Sequence, residues 1–205
     1  MNFIDLTIPL GNDTPVYPGD PAISVSPMLT IEKDGVSIHS ISVHTHAGTH
    51  MDAPSHMIQN GKTLAAFSPD AFVGKGICID LLNAYTIEKL ASADISHGDI
   101  VLLYSGWDKK RGSEEYFTGA PAVSLEMAEY LVSKKVKIVG MDSPSADGHP
   151  YAAHKKLLEN DILIIEALTN LDRLLNVKFR LYAFPLPIDT DGAPMRVIAE
   201  TLGEI

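Results

Sequence analysis

The chain has 205 residues, 45% hydrophobic and 20% charged, with a formal net charge of −10; this is globular composition with enough apolar material for one substantial core. The acidic balance and the lack of a basic run exclude nucleic acid as a partner, since that binding draws on clustered Lys and Arg. No apolar run approaches the ~18 residues of a membrane span, "MNFIDLTIPL" has no signal-peptide pattern, and the lone Cys78 excludes an intrachain disulfide, so a cytoplasmic protein with one domain over residues 1–205 is expected.

In chain order, "FIDLTIPL" reads as an opening strand, stopped by the turn-rich "GNDTPVYPGDP". "SIHSISVHTH" alternates as a second strand reaching His46, with Ile41, Val43 and Thr45 on one face and His44 and His46 on the other. "KGICIDLL" and "DIVLLYSGW" are apolar enough for central strands, with Cys78 a buried strand residue. "SLEMAEYLVSKK" predicts a helix that starts at Ser124, where Met127 replaces the Glu or Gln of a full capping box. "VKIVGMD" reads as a strand, "YAAHKKLLEN" as a short helix and "DILIIEAL" as another strand. "KFRLYAFPLPI" and "MRVIAETL" complete a strand-rich α+β protein, its helices mostly in the second half.

Residues 44–56 hold four of the eight histidines, where a random window of that size would hold about half of one. Gly48 permits a tight bend after His46. In extended chain His50 and Asp52 point the same way, so the bend can bring His46 round to meet them. Two neutral imidazoles and a carboxylate suit a divalent ion such as zinc or manganese and leave a position for water. Pro54 discourages a helix at Ala53 and displaces His56 from the ligand set while keeping it near, where a free imidazole can move protons. His44 is expected in a supporting or structural role.

Glu166 interrupts an apolar strand, and a carboxylate there needs a partner. A salt bridge would serve; so would a metal, since His154 on the preceding helix can return through the Asn160–Asp161 turn. "GMDSPSADG" lacks the Gly-x-Ser-x-Gly elbow, so Ser143 and Ser145 read as loop or pocket residues rather than nucleophiles, and Asp142 as a turn or supporting residue.

The run "HAGTHMDAPSH", His46 to His56, resembles the His-x-Gly-Thr-His-x-Asp-x-Pro-x-His motif of the cyclase family of metal-dependent hydrolases, which includes bacterial kynurenine formamidase and isatin hydrolase. "YPGDP", "LLYSGW" and the His154-to-Glu166 spacing resemble the family too. The resemblance implies a swivelling β/β/α domain, usually a homodimer or larger assembly. It implies His46, His50 and Asp52 as ligands of a first metal, Asp52 bridging to a second held by His154 and Glu166, and His56 as proton donor and acceptor. Tyr17 stands where family formamidases carry a substrate-contacting Trp. The implied activity is hydrolysis of a small-molecule amide, N-formylkynurenine among the substrates, by metal-activated water. A cyclic amide or lactone is the alternative substrate, and a non-catalytic metal-binding protein the alternative of another class.

Overall fold

Four apolar runs too short for helices, over "GICID", "IVLLY", "IVGM" and "LIIE", form neighbouring parallel strands at the centre of the molecule. The computed structural model describes residues 2–203; Met1, where the signal-peptide reading begins, and the last two residues of the 1–205 span lie outside them. The strands are β1 (Asn2–Asp5), β2 (Ser24–Leu29), β3 (Ile38–Ser42), β4 (His50–Asp52), β5 (Val73–Asp80), β6 (Ile100–Tyr104), β7 (Ile138–Met141), β8 (Leu163–Glu166), β9 (Phe179–Pro185) and β10 (Gly192–Thr201). The helices are α1 (Ile31–Asp34), α2 (Ile87–Ala91), α3 (Leu125–Lys134) and α4 (Ala152–Leu158).

Strands β5 to β8 run parallel, and the order β10-β4-β8-β7-β6-β5-β9 closes on itself because β9 also pairs with β10. The long β10 makes this possible. Its first residues pair with β4, its remainder with β9, and its far end also takes β1 on the edge that β4 has left. The result is a seven-stranded barrel-like sheet with β1 added, a strand-rich α+β fold as expected.

Strand alternation then divides the apolar residues between two cores. Ile100, Leu102 and Tyr104 of β6 join Met51, Leu163, Ile165, Phe179 and Leu181 in the inner core. Val101 and Leu103 join Ile164, Met127, Leu131 and Leu157 in the outer core, beneath α3 and α4. Ser124 caps α3 by accepting a hydrogen bond from the Met127 N–H at 3.1 Å, so the incomplete box still starts the helix. Among the described residues no helix is long and apolar enough to cross a membrane.

Three expectations change. The first strand stops at Asp5, short of Leu10. The strand expected to reach His46 stops at Ser42, and His46 lies in a turn. Its alternation has no buried face to serve: β3 pairs only with β2 in a separate ribbon, and all five of its residues are exposed. The strand β2 and the short helices α1 and α2 fall in stretches that polar and turn residues disguise as loop.

Candidate metal centre

His50 and Asp52 lie on β4 with Met51 between them, and the pleat decides what each one does. Met51 enters the inner core, fully buried, so its two neighbours must face the outer side, beneath α4. Strand β8 obeys the same alternation: Leu163 and Ile165 point inward, Ile164 and Glu166 outward. Register completes the placement, because His50 stands directly opposite Glu166 in the antiparallel β4–β8 pair. Helix α4 carries His154 over this face.

The turn before β4 brings His46 to the same place. Gly48 adopts φ +61°, the bend the sequence suggested. At Gly192 of β10 a Cβ would meet the His46 ring at 2.9 Å, so the glycine leaves the imidazole room.

Asp52 sits at the centre. Its Oδ1 is 2.8 Å from His46 Nδ1 and 3.3 Å from His50 Nε2, while its Oδ2 is 3.7 Å from His154 Nε2. Glu166 closes the ring, with Oε1 3.0 Å from His154 Nε2 and Oε2 3.5 Å from His50 Nε2. Glu166 Oε1 also accepts the Ala146 N–H at 2.7 Å. His50, Asp52, His154 and Glu166 are each at most 5% exposed.

These residues fit a divalent cation. His50 Nδ1 faces the Gly48 carbonyl at 2.9 Å and so carries a proton. Its Nε2 then turns a lone pair toward two carboxylates. His50 Nε2 and Asp52 Oδ2 are both buried without a hydrogen-bond partner among the described residues. Unpaired buried polar atoms are costly, and a cation among them would satisfy both. Imidazole and carboxylate donors suit a borderline ion such as zinc or manganese. His46–Asp52–His56 and His50–Asp52–Glu166 are the two sets whose donor atoms converge closely enough to hold an ion.

The histidines divide by charge. Burial pulls His46 down, but the hydrogen bonds and charges of Asp52 and Asp191 outweigh it and raise it to about 9. At His154 burial is likewise overcome, by Asp147 and Glu166 and by the charge of Asp52, and the group rises to about 10. His50 is also raised, against its burial, chiefly by Asp52. Asp52 itself is held well below the usual carboxylate range, because His46 and His50 outweigh its own burial. His56 goes the other way: burial lowers it, reinforced by the charges of His46 and His154. It therefore stays neutral at neutral pH, where His46 and His154 hold protons.

His56 ends a short 3-10 turn, Pro54–His56, and stacks on His46 with ring centroids 3.9 Å apart. Its Nδ1 lies 3.4 Å from Asp191 Oδ2, whose carboxylate also lies 2.8 Å from His46 Nε2. Sequence reasoning missed Asp191, because "DTDG" before β10 reads as turn chemistry. It also missed Asp147, which accepts from Ala153 N–H at 2.7 Å and holds His154 Nδ1. Its spacing of seven residues before His154, across a turn, is the signal that could have found it. Asp142 is structural, accepting from the Ser105 and Gly106 N–H groups and the Ser105 hydroxyl.

The cluster opens into a cleft of about 280 Å³ lined by Tyr17, Asp20, His56, Met57, Pro144, Ser145 and Tyr151 as well as His46, His50, His154 and Glu166. Tyr17 is 45% exposed and meets Phe117 edge to face at 5.6 Å. Ser145 lines the cleft, and Ser143 is buried and bonded to the Ser145 carbonyl. His44 lies outside the cluster, 4.0 Å from Asp20.

Residues 4–148 match the family model described as "Putative cyclase". An uncharacterized protein of Methanocaldococcus jannaschii is 36% identical over 97% of this chain and 99% of its own. The kynurenine formamidase of Bacillus cereus is 31% identical over 96% of both chains. Isatin hydrolase A from Labrenzia aggregata superposes with a TM-score of 0.87 at 27% identity, over 97% of this chain and 93% of that one. A structure described as a potential metal-dependent hydrolase with cyclase activity superposes at 0.80, with 28% identity over 97% and 96%. The chain belongs to the cyclase family of metal-dependent hydrolases.

Proposed function

We propose that this cyclase-family hydrolase cleaves the C–N bond of a small aromatic amide, with N-formylkynurenine the substrate that its kynurenine formamidase relatives bring forward. The observation that carries the reading is geometric: at the floor of an open cleft His50, Asp52, His154 and Glu166 are buried together, with His50 Nε2 and Asp52 Oδ2 lacking a hydrogen-bond partner among the described residues. Beside it, His56 stacks on His46 and lies 3.4 Å from Asp191, and its burial lowers it where the carboxylates raise His46, His50 and His154.

In this reading His46, His50 and Asp52 would hold a first ion, and His154 and Glu166 a second, the grouping that the family resemblance implies; the donor atoms that converge most closely are those of His46, Asp52 and His56 and of His50, Asp52 and Glu166. Asp52 is suited to bridging, because its two oxygens face different histidines. The ions would be zinc or manganese, and they supply an acidified water and a polarised carbonyl. His56 supplies the base. With Nδ1 directed at Asp191, Nε2 is the basic nitrogen, and it takes the proton released as water oxygen attacks the carbonyl carbon. The same nitrogen returns that proton to the amide nitrogen as the C–N bond breaks, releasing amine and carboxylic acid. Asp191 orients the ring and steadies its charge. Tyr17 and Phe117 offer an aromatic wall for an aryl ring.

The test is turnover of N-formyl-L-kynurenine by zinc- or manganese-reconstituted protein, with His46→Ala as the blank. Efficient hydrolysis lost in the blank supports the reading. Metal bound without turnover would remove this substrate, and the likeness to an isatin hydrolase makes isatin, a cyclic amide, the next compound to assay.

The homodimer expectation finds support in the β2–β3 ribbon. A two-stranded ribbon is marginal alone in water, yet this one exposes Met28, Ile31, Val36, Ile38 and Ile41. A second copy of the chain covering that surface is the proposed partner.

A further inference from the structure

Beside the metal cradle lies a narrow crevice that holds a residue the proposed mechanism does not use, Arg111. It is lined by His46 and His50 on one side and by Tyr17, Tyr116, Phe117 and Arg111 on the other. It is small, about 20 Å³. Among the described residues lining this crevice and the main cleft, Arg111 is the sole Lys or Arg.

Arg111 is half-buried and without an ion-pair partner among the described residues, although its neighbour Lys110 pairs with Glu115 and Arg196 pairs with Asp5. Asp13 lines the outer cavity on the far side of Arg111, but outside ion-pair distance. The loop that carries Arg111 is pinned. Its own N–H reaches the Asp108 carbonyl at 3.3 Å, and the Trp107 indole N–H donates to the Tyr116 carbonyl at 2.9 Å. A half-buried guanidinium with no carboxylate of its own, on a pinned loop and lining one crevice with aromatic rings and two of the cradle's histidines, is placed to receive one. In a cleft otherwise lined with Asp20 and Glu166, on a chain of net charge −10, it is also the feature that lets an anion approach.

We infer that Arg111 forms a carboxylate subsite, so that this enzyme prefers aromatic substrates that carry a carboxylate besides the bond it cleaves. The inference rests on the proposed reading of the cleft as a substrate site and adds the residue that receives the carboxylate N-formylkynurenine already carries. Arg111 acts on binding: its loss raises KM or Kd for anionic ligands and leaves the chemistry at the metal cradle in place.

Calorimetric binding of 2-aminobenzoate and of 2-aminobenzamide to zinc-loaded protein tests this. The pair differs in charge while sharing size and ring. Carboxylate can also ligate metal, so the informative quantity is how the ratio of the two Kd values responds to Arg111. In the wild type 2-aminobenzoate is expected to bind at least about tenfold more tightly, and in Arg111→Gln the ratio falls about tenfold or more, the scale of a charge-assisted bond. Arg111→Lys keeps the charge but not the two-pronged fork, and gives an intermediate ratio. It also serves should the Gln variant not fold. A ratio unchanged in either folded variant, or a wild type that binds neither probe, overturns the subsite. Arg111-dependent binding in a protein that hydrolyses no amide would keep the subsite and sink the hydrolase reading. Amide hydrolysis with a charge preference indifferent to Arg111 would do the reverse.

Discussion

In the cradle, Asp52, Glu166, His50 and His154 are packed together at 5% exposure or less. In the β2–β3 ribbon, Met28 and Ile41 each stand 62% exposed, and Ile31 of the connecting α1 72%. One region buries charge and the other exposes oil, and each breaks the ordinary pattern of burial. The cradle is held by barrel strands whose opposite faces fill the inner core, so its side chains cannot relax away from one another. The ribbon has no residue in either core and is tied to the loop before it by the hydrogen bonds between Val25 and Asn12. Each violation points to something that must be added: a cation in the first case, a partner surface in the second.

The most severe break in the comparison is Asp52→Ala. It removes the carboxylate that faces three histidines, and should empty the metal site and lower kcat/KM by about 10³ or more, several kcal/mol of lost stabilisation. Metal content and rate measured on one sample would show both. His56→Ala separates holding from reacting. It should leave bound metal unchanged and cut kcat by about 10² or more; an undiminished kcat would remove His56 from the chemistry.

Asp147→Asn probes the support behind a ligand. With His154 no longer fixed through Nδ1, metal affinity should weaken by about 10- to 100-fold, read by competition with a chromogenic chelator. A pH series sharpens the cradle's side further. In the metal-free protein His46 and His154, raised to about 9 and about 10, hold protons at neutral pH. Ligation requires their loss, so apparent metal affinity should rise with pH up to that range, by up to ~10-fold per unit for each proton released. Their contribution to metal-free stability has the opposite sense. Because the folded values lie above the ordinary value of 6.5, it is complete below 6.5 and lost as pH climbs through about 9 to about 10. The metal-free Tm should fall across that window. The smallest effect belongs to the ribbon. Ile41→Lys should halve the mass seen by sedimentation while changing the stability of the single chain by no more than about 0.5 kcal/mol. An unchanged mass would rule Ile41 out of a subunit contact.

The sequence revealed the central strands because each was an apolar run too short for a helix. Alternation at His50, Met51 and Asp52 was legible, and so was the isolation of Glu166. What it could not show was pairing. The direct opposition of His50 and Glu166 depends on β4–β8 register, and nothing local to either segment encodes that. Asp191 arrives at His46 and His56 from the other end of the chain, in a segment whose composition reads only as a turn. The ribbon misled for a related reason. Its alternation resembles a half-buried strand, but the surface that would bury one face is absent from the rest of this chain's core.

The central claim is that the buried charge exists to hold a metal that drives hydrolysis. The direct measurement is a titration of chelator-treated protein with zinc or manganese, following bound metal and hydrolysis of N-formyl-L-kynurenine in the same samples. Activity that is absent without metal and rises in proportion to the metal bound is the predicted result. Equal hydrolysis by the metal-free protein, or a cradle that takes up no metal while the chain is folded, would contradict the account.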